Sequence, residues 1–183
     1  MIPIWLVRHG EAAAKWAEHP DPGLSDLGRQ QAEAAADELE AVIPTNVKLV
    51  SSPKARAIET AFPLQQRREL AVEIESAFIE IQAPVTLDQR QVWLRAFMSQ
   101  RWSEQSAAIW SWREQLVDRL SRLSQPTVVF THFLVINTVL AHISGDERTV
   151  QLWPDNGSIH HLALEAGQLK VLGLGREMTT IVG

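Results

Sequence analysis

Ile4-Trp5-Leu6-Val7-Arg8-His9-Gly10-Glu11 is the stretch that decides how this chain is read. Four apolar residues in a row suit a strand covered on both faces, and the run then ends abruptly in a cation, an imidazole and a glycine. A buried strand that stops this way presents Arg8 and His9 at a sheet edge, the side on which open α/β sheets bind ligands. Two later stretches have the same build. Val47 to Val50 is followed by Ser51-Ser52-Pro53-Lys54-Ala55-Arg56, and Val128-Val129-Phe130 runs into Thr131-His132.

Between these runs the pattern is helical. Ser25 is placed to cap a helix reaching about Val42, with an Ala-rich and Glu-rich register that buries one face. Pro53 is expected near the first turn of a second helix, where its missing N–H leaves no bond unmade. Ala71 to Ile74 reads as a short third strand. Gln89 to Leu123 reads as helical and carries Trp93, Phe97, Trp110 and Trp112. Gln125-Pro126 breaks that pattern, Val128 to Phe130 forms strand four, and Phe133 to Ile143 is an apolar helix ended by Ser144-Gly145-Asp146. Ile159 to Leu164 and Gln168 to Leu174 read as two strands joined at Ala166-Gly167. Strands alternating with helices predict an α/β sandwich around a mainly parallel sheet. No repeat, low-complexity tract or linker interrupts the chain. Residues 1–183 are therefore expected to form a single domain, with a helical Trp-rich insert at about 86–124.

Composition removes several classes of function. With 45% apolar residues and seven Trp in 183 positions, the chain belongs among globular proteins and not disordered ones. No apolar stretch approaches the roughly 20 residues that span a bilayer. Met1-Ile2-Pro3-Ile4 lacks the basic start of a signal peptide, and a cytoplasmic location is expected. The chain has no cysteine, which excludes disulfides and thiolate chemistry. Seventeen basic residues against 22 acidic ones give a net charge of −5, a poor footprint for nucleic acid. An anionic ligand would need a local cluster of arginines. No spacing among the six histidines resembles a zinc or iron site, and His160 and His161 point to opposite faces of one strand. Neither a metal nor a cofactor is expected. His19 and His142 have no assignment.

Four segments together resemble the histidine phosphatase superfamily, in its phosphoglycerate-mutase-like branch 1. They are the Arg8-His9-Gly10-Glu11 strand end, Leu24-Ser25-Asp26-Leu27-Gly28-Arg29-Gln30-Gln31-Ala32, Ser52-Pro53-Lys54-Ala55-Arg56-Ala57-Ile58-Glu59-Thr60-Ala61, and the strand ending at His132. They occur in family order over residues 4 to 132. The resemblance implies a three-layer α/β/α sandwich and phosphoryl transfer, which needs a nucleophile, a cationic clamp and a proton donor. His9 is the implied nucleophile. One ring nitrogen must be free to attack phosphorus, so the other should donate to a backbone carbonyl near Gly10. Arg8 and Arg56 are the implied clamp, since guanidinium forks match phosphate oxygens. His132 is implied to contact the transferring phosphoryl group.

Similar enzymes take their acid from a glutamate after strand three, where Glu73, Glu75 and Glu80 all lie. Glu80, in Phe78-Ile79-Glu80-Ile81, matches the family position best, and apolar neighbours would raise its pKa. The chain also departs from the family pattern. Phe133 stands where a glycine commonly follows the second histidine, and Gln82-Ala83-Pro84 replaces a glycine-rich tract. Ala12 and Lys15 replace a threonine and an asparagine, Lys15 reading as a solvated side chain. Arg67, Arg68, Arg119 and Arg122 read as solvent-facing. The Trp-rich span reads mainly as core, with a pocket wall as the other possibility.

The implied activity is a metal-independent phosphomonoester hydrolase of the histidine acid phosphatase type, working through phosphohistidine on a small phosphorylated substrate. A mutase is the first alternative, but family mutases are longer and shield the phosphoenzyme. A phosphatase of phosphohistidine proteins and a silent phosphate-binding module are the others. The sequence identifies neither the substrate nor the oligomeric state.

Overall fold

The computed structural model describes residues 1–14 and 19–179. Alternation along the strands builds a layered molecule. In β1 (Ile2–Arg8), Ile4 and Leu6 face one side of the sheet while Trp5 and Val7 face the other. Val129 in β4 (Thr127–Thr131) joins the first pair, and Val128 and Phe130 join the second. On the Trp5 side the sheet is covered by Ala35, Ala36 and Leu39 of α1 (Asp26–Glu40) and by Ala61 and Leu64 of α2 (Ala55–Arg68). On the Ile4 side it is covered by Leu116 and Leu120 of α4 (Ala107–Ser121) and by Val135, Ile136, Val139 and Leu140 of α5 (Phe133–Ser144). The result is a three-layer α/β/α sandwich. The apolar runs of β1 and β4 are continuous because both faces are buried.

The six strands lie in the order β3-β2-β4-β1-β5-β6. Here β2 is Lys48–Ser51, β3 Val72–Ile74, β5 Ile159–Glu165 and β6 Gln168–Gly173. The first four run parallel, while β5 pairs antiparallel with β1 and with β6. The turn between β5 and β6 uses Ala166 and Gly167, both at positive φ (52° and 76°), the backbone of a two-residue hairpin.

Two expectations are corrected. Pro53 is not in the first turn of α2, because Lys54 is the N-cap and the helix starts at Ala55, whose N–H is taken by Asp21 Oδ1 at 3.0 Å. Residues 89–123 also do not form one helical run. α3 (Arg90–Met98) stops at Ser99, a single 3₁₀ turn follows at Trp102–Glu104, and the chain restarts at α4 with the Ser106 hydroxyl capping Ile109 N–H. Tertiary bonds hold the break open. Trp102 N–H donates to Glu147 O (2.8 Å), and Thr149 Oγ1 donates to Phe97 O (2.5 Å). Among the described residues, no helix is long and apolar enough to cross a membrane.

Candidate active site

Three neighbouring strands of the sheet end at one edge, and each delivers a polar side chain just beyond its last residue. β1 leads to His9, β2 to Ser52 and β4 to His132. Backbone bonds continue the pairing past the strands, with His9 N–H on Thr131 O (3.1 Å) and Ser52 N–H on Phe130 O (3.0 Å). The two imidazoles therefore lie edge to face, with ring centres 5.3 Å apart.

The tautomer of His9 follows from its partners. Nδ1 lies 2.7 Å from Gly10 O, an acceptor with nothing to donate, so Nδ1 carries the proton. Nε2 then has the lone pair, and Arg56 Nε donates to it at 3.2 Å. Burial, and after it the charges of Arg8 and Arg56, push the His9 pKa well below the usual imidazole range. The ring is neutral at physiological pH and only 5% exposed.

The turn that carries His9 is clamped to α1. Ser25 N–H and its hydroxyl both reach Glu11, Glu11 N–H donates to Gln31 Oε1 at 2.8 Å, and Ser25 Oγ accepts Gly28 N–H at 3.0 Å. The backbones touch here. A Cβ on Gly10 would lie 2.5 Å from Gly28 O, and one on Gly28 would strike Glu11 O. Thr60 of α2 adds a bond, accepting Gly10 N–H (3.0 Å) while donating to Arg56 O (2.6 Å).

Arg56 is buried in the first turn of α2, close enough to Glu80 and Arg90 to feel both charges. Arg8 is half-buried, and desolvation lowers its pKa to about 10 against the opposing pull of Glu80 and Asp155. Its Nη1 donates to Pro154 O at 2.8 Å. His132 is fully buried, with Nε2 2.7 Å from Ser52 Oγ. Ser52 Oγ also accepts Lys54 N–H (3.3 Å), and the other ring nitrogen of His132 is Nδ1. That nitrogen has no partner among the described residues. Burial is again the main cause of a His132 pKa well below the usual range, with His9 and Arg56 adding to it.

The three candidate glutamates separate clearly. Glu73 and Glu75 form ion pairs with Arg119 on α4, and Glu73 also pairs with Lys48. Glu80 is 1% exposed and its carboxylate accepts Leu134 N–H (3.0 Å) and Ile81 N–H (3.2 Å). Leu134 belongs to the first turn of α5, which follows His132 directly, so Glu80 is brought to the histidine edge. Burial raises its pKa, and these two N–H groups with Arg56 and Arg8 partly offset the rise.

Of the residues singled out from sequence, Arg8, His9, Arg56, Glu80 and His132 thus converge, while Lys15 lies outside the described residues. Within the Trp-rich span, Trp112 braces the segment that carries Glu80. Trp102 is buried, and Trp112 Nε1 donates to Ile79 O (3.0 Å), fixing the backbone beside Glu80. His160 bonds Ser158 and Gly175, while His161 stacks on Trp5. Among the described residues no group of His, Asp and Glu is arranged to hold a metal ion. Sequence reading missed Ser52, Thr60 and Arg90. The first two lie inside the Ser52-to-Ala61 motif, while Arg90 had no local signal.

The histidine phosphatase superfamily (branch 1) matches residues 4–176, and the chain belongs to that family. An uncharacterized protein of Mycobacterium tuberculosis, Rv0525, is 38% identical over 81 residues. That stretch is 42% of this chain and 39% of the relative, well under half of its length. Among solved structures, the chain resembles a mycobacterial glucosyl-3-phosphoglycerate phosphatase complexed with VO3. The TM-score is 0.72 at 20% identity, covering 95% of this chain and 98% of the other. A phosphoserine phosphatase from Entamoeba histolytica in complex with 3-phosphoglyceric acid gives the same TM-score and identity, covering 96% and 98%. These structural likenesses concern the fold.

Proposed function

We propose that this protein is a metal-independent phosphomonoester hydrolase working through a phosphohistidine on His9. The observation that carries the reading is the His9 tautomer. Nδ1 is committed to Gly10 O, so Nε2 offers its lone pair among guanidinium groups. An incoming phosphate takes the Arg56 N–H groups onto its oxygens and so uncovers Nε2. Arg8 supplies the second fork, and His132 donates from Nδ1 to a nonbridging oxygen. Nε2 attacks phosphorus, the P–O bond to the leaving group breaks, and Glu80 gives that oxygen its proton. Water then attacks the phosphohistidine, Glu80 takes a proton back, and His9 returns to its starting tautomer with release of inorganic phosphate. The fixed cations take the place of the metal charge that other phosphatases use. Burial of His9 and His132 favours a small phosphomonoester over a phosphoprotein, and the phosphatase names of the structural neighbours agree in reaction class.

The test is a trapped intermediate. Brief exposure to a labelled phosphomonoester should leave acid-labile, base-stable phosphate on the wild type, unaffected by EDTA, and none on His9→Ala. Label that persists in His9→Ala, or that requires an added divalent metal, would overturn the reading.

A further inference from the structure

Arg8 is held in a bracket that its own strand does not provide. The guanidinium carbon lies 5.3 Å from the centre of the Phe133 ring, within the range of a cation–π contact. Phe133 is the first residue of α5 and is 8% exposed, and its ring meets that of Trp153 edge to face at 5.3 Å and 69°. The residue after Trp153 supplies the carbonyl that accepts Arg8 Nη1, and Met178 Sδ is 3.5 Å from the same nitrogen. This wall is itself anchored, with Met178 N–H donating to Trp153 O (2.8 Å) and Asp155 N–H to Arg176 O (2.9 Å).

We propose that Phe133 is a positioning residue whose ring face holds the Arg8 guanidinium in the orientation that receives phosphate. This rests on the reading of Arg8 as part of the phosphate clamp. The chemistry is compatible on both sides. A ring attracts a guanidinium through its flat face, while hydrogen bonds to an anion leave in the guanidinium plane, so neither interaction displaces the other. With Nη1 on Pro154 O and the face on Phe133, the Nε side of the fork remains, and Nε has no partner among the described residues. Phe133 also follows His132 directly, so one helix start sets the imidazole and the arginine shelf together. A glycine here, common in the family, would leave that face of Arg8 without a ring.

Binding of inorganic phosphate, read by calorimetry, tests this in the intact protein. Phe133 is replaced by phenylalanines carrying one, two and three fluorines, which keep the ring's shape while draining charge from its face. The dissociation constant for phosphate should rise stepwise, reaching about tenfold, a change of about 1.4 kcal/mol. The same series at Phe97, a buried ring stacked on Trp93, should leave it unchanged. A flat or inverted series at Phe133, or an equal response at Phe97, overturns the proposal. Failure of the wild type to bind phosphate at all would instead overturn the phosphatase reading.

Discussion

Burial of the Glu80 carboxyl raises its pKa, while the Leu134 N–H at the head of α5 and the guanidinium of Arg56 pull it down. A group balanced in this way holds a proton more readily than a surface glutamate, yet remains able to give it up. Its contribution should therefore depend on the leaving group. Glu80→Gln keeps the shape and one acceptor, and should slow an alkyl phosphate by about 10² to 10⁴ while a phenolic ester with a good leaving group changes far less. Comparing kcat for the two substrates reads this directly. Equal losses on both, or none on either, would remove Glu80 from the role of acid. The resemblance already favoured Glu80 over Glu73 and Glu75, and the structure separates the three by a residue that no local reading includes, since Arg119, more than 35 positions away, engages the other two.

At the scale of elements, the contact between α1 and the His9 turn shows how the fold sets the site. α1 buries its alanine face on the sheet, and its first turn runs so close under Gly10 and Glu11 that neither Gly10 nor Gly28 has room for a Cβ. Gly28→Ala should cost about 1–3 kcal/mol of stability, as overpacking does, and should lower activity more than stability alone explains by shifting the turn that orients His9. Thermal melts together with kcat measured well below the midpoint separate the two effects, and unchanged kcat would mean that the turn tolerates the shift. This element was readable in advance because its signals are local: Ser25 as cap, a periodic apolar face, and a glycine at the third helical position. The strand ends carrying His9 and His132 were readable for a similar reason, since a doubly buried strand is an unbroken apolar run. The break between α3 and α4 was not, because bonds to Glu147 and Thr149 decide it from across the molecule. Arg90 and Pro154 likewise come to Arg56 and Arg8 from distant parts of the chain.

At the scale of the whole molecule, the polar groups behind and within the site make the fold sensitive to acid. His160 is fully buried, accepting Gly175 N–H on Nδ1 (3.0 Å) and facing Ser158 Oγ with Nε2 (2.9 Å). Ser158 O in turn accepts the backbone N–H of Arg8 (3.0 Å), so this histidine braces the strand end from behind. Desolvation lowers its pKa from 6.5 to about 4. Above pH 6.5 both folded and unfolded chains have this ring neutral, and stability does not depend on it. Between about 6.5 and 4 the unfolded chain takes a proton that the folded one refuses, so stability falls as pH falls; below about 4 both bind it and the loss is complete. At 1.36 kcal/mol per pKa unit, that loss is roughly 3 kcal/mol. His9 and His132, also held well below the usual range, act in the same direction. Glu80 acts in the opposite one, since its raised pKa favours the folded state as pH drops through its own titration. His142 and His161, whose pKa values burial also lowers, add to the loss, and so do Glu73, Asp146 and Glu165, held below the usual carboxylate range by their basic partners. Urea unfolding should give a free energy that is flat from pH 8 to 7 and falls steadily from 6.5 toward 4.5. His160→Asn places an amide oxygen where Nδ1 accepts Gly175 N–H and has nothing to titrate, so its profile should be shallower by up to one proton. Parallel profiles for the two proteins would show that His160 takes up its proton in the folded state as easily as in the unfolded chain.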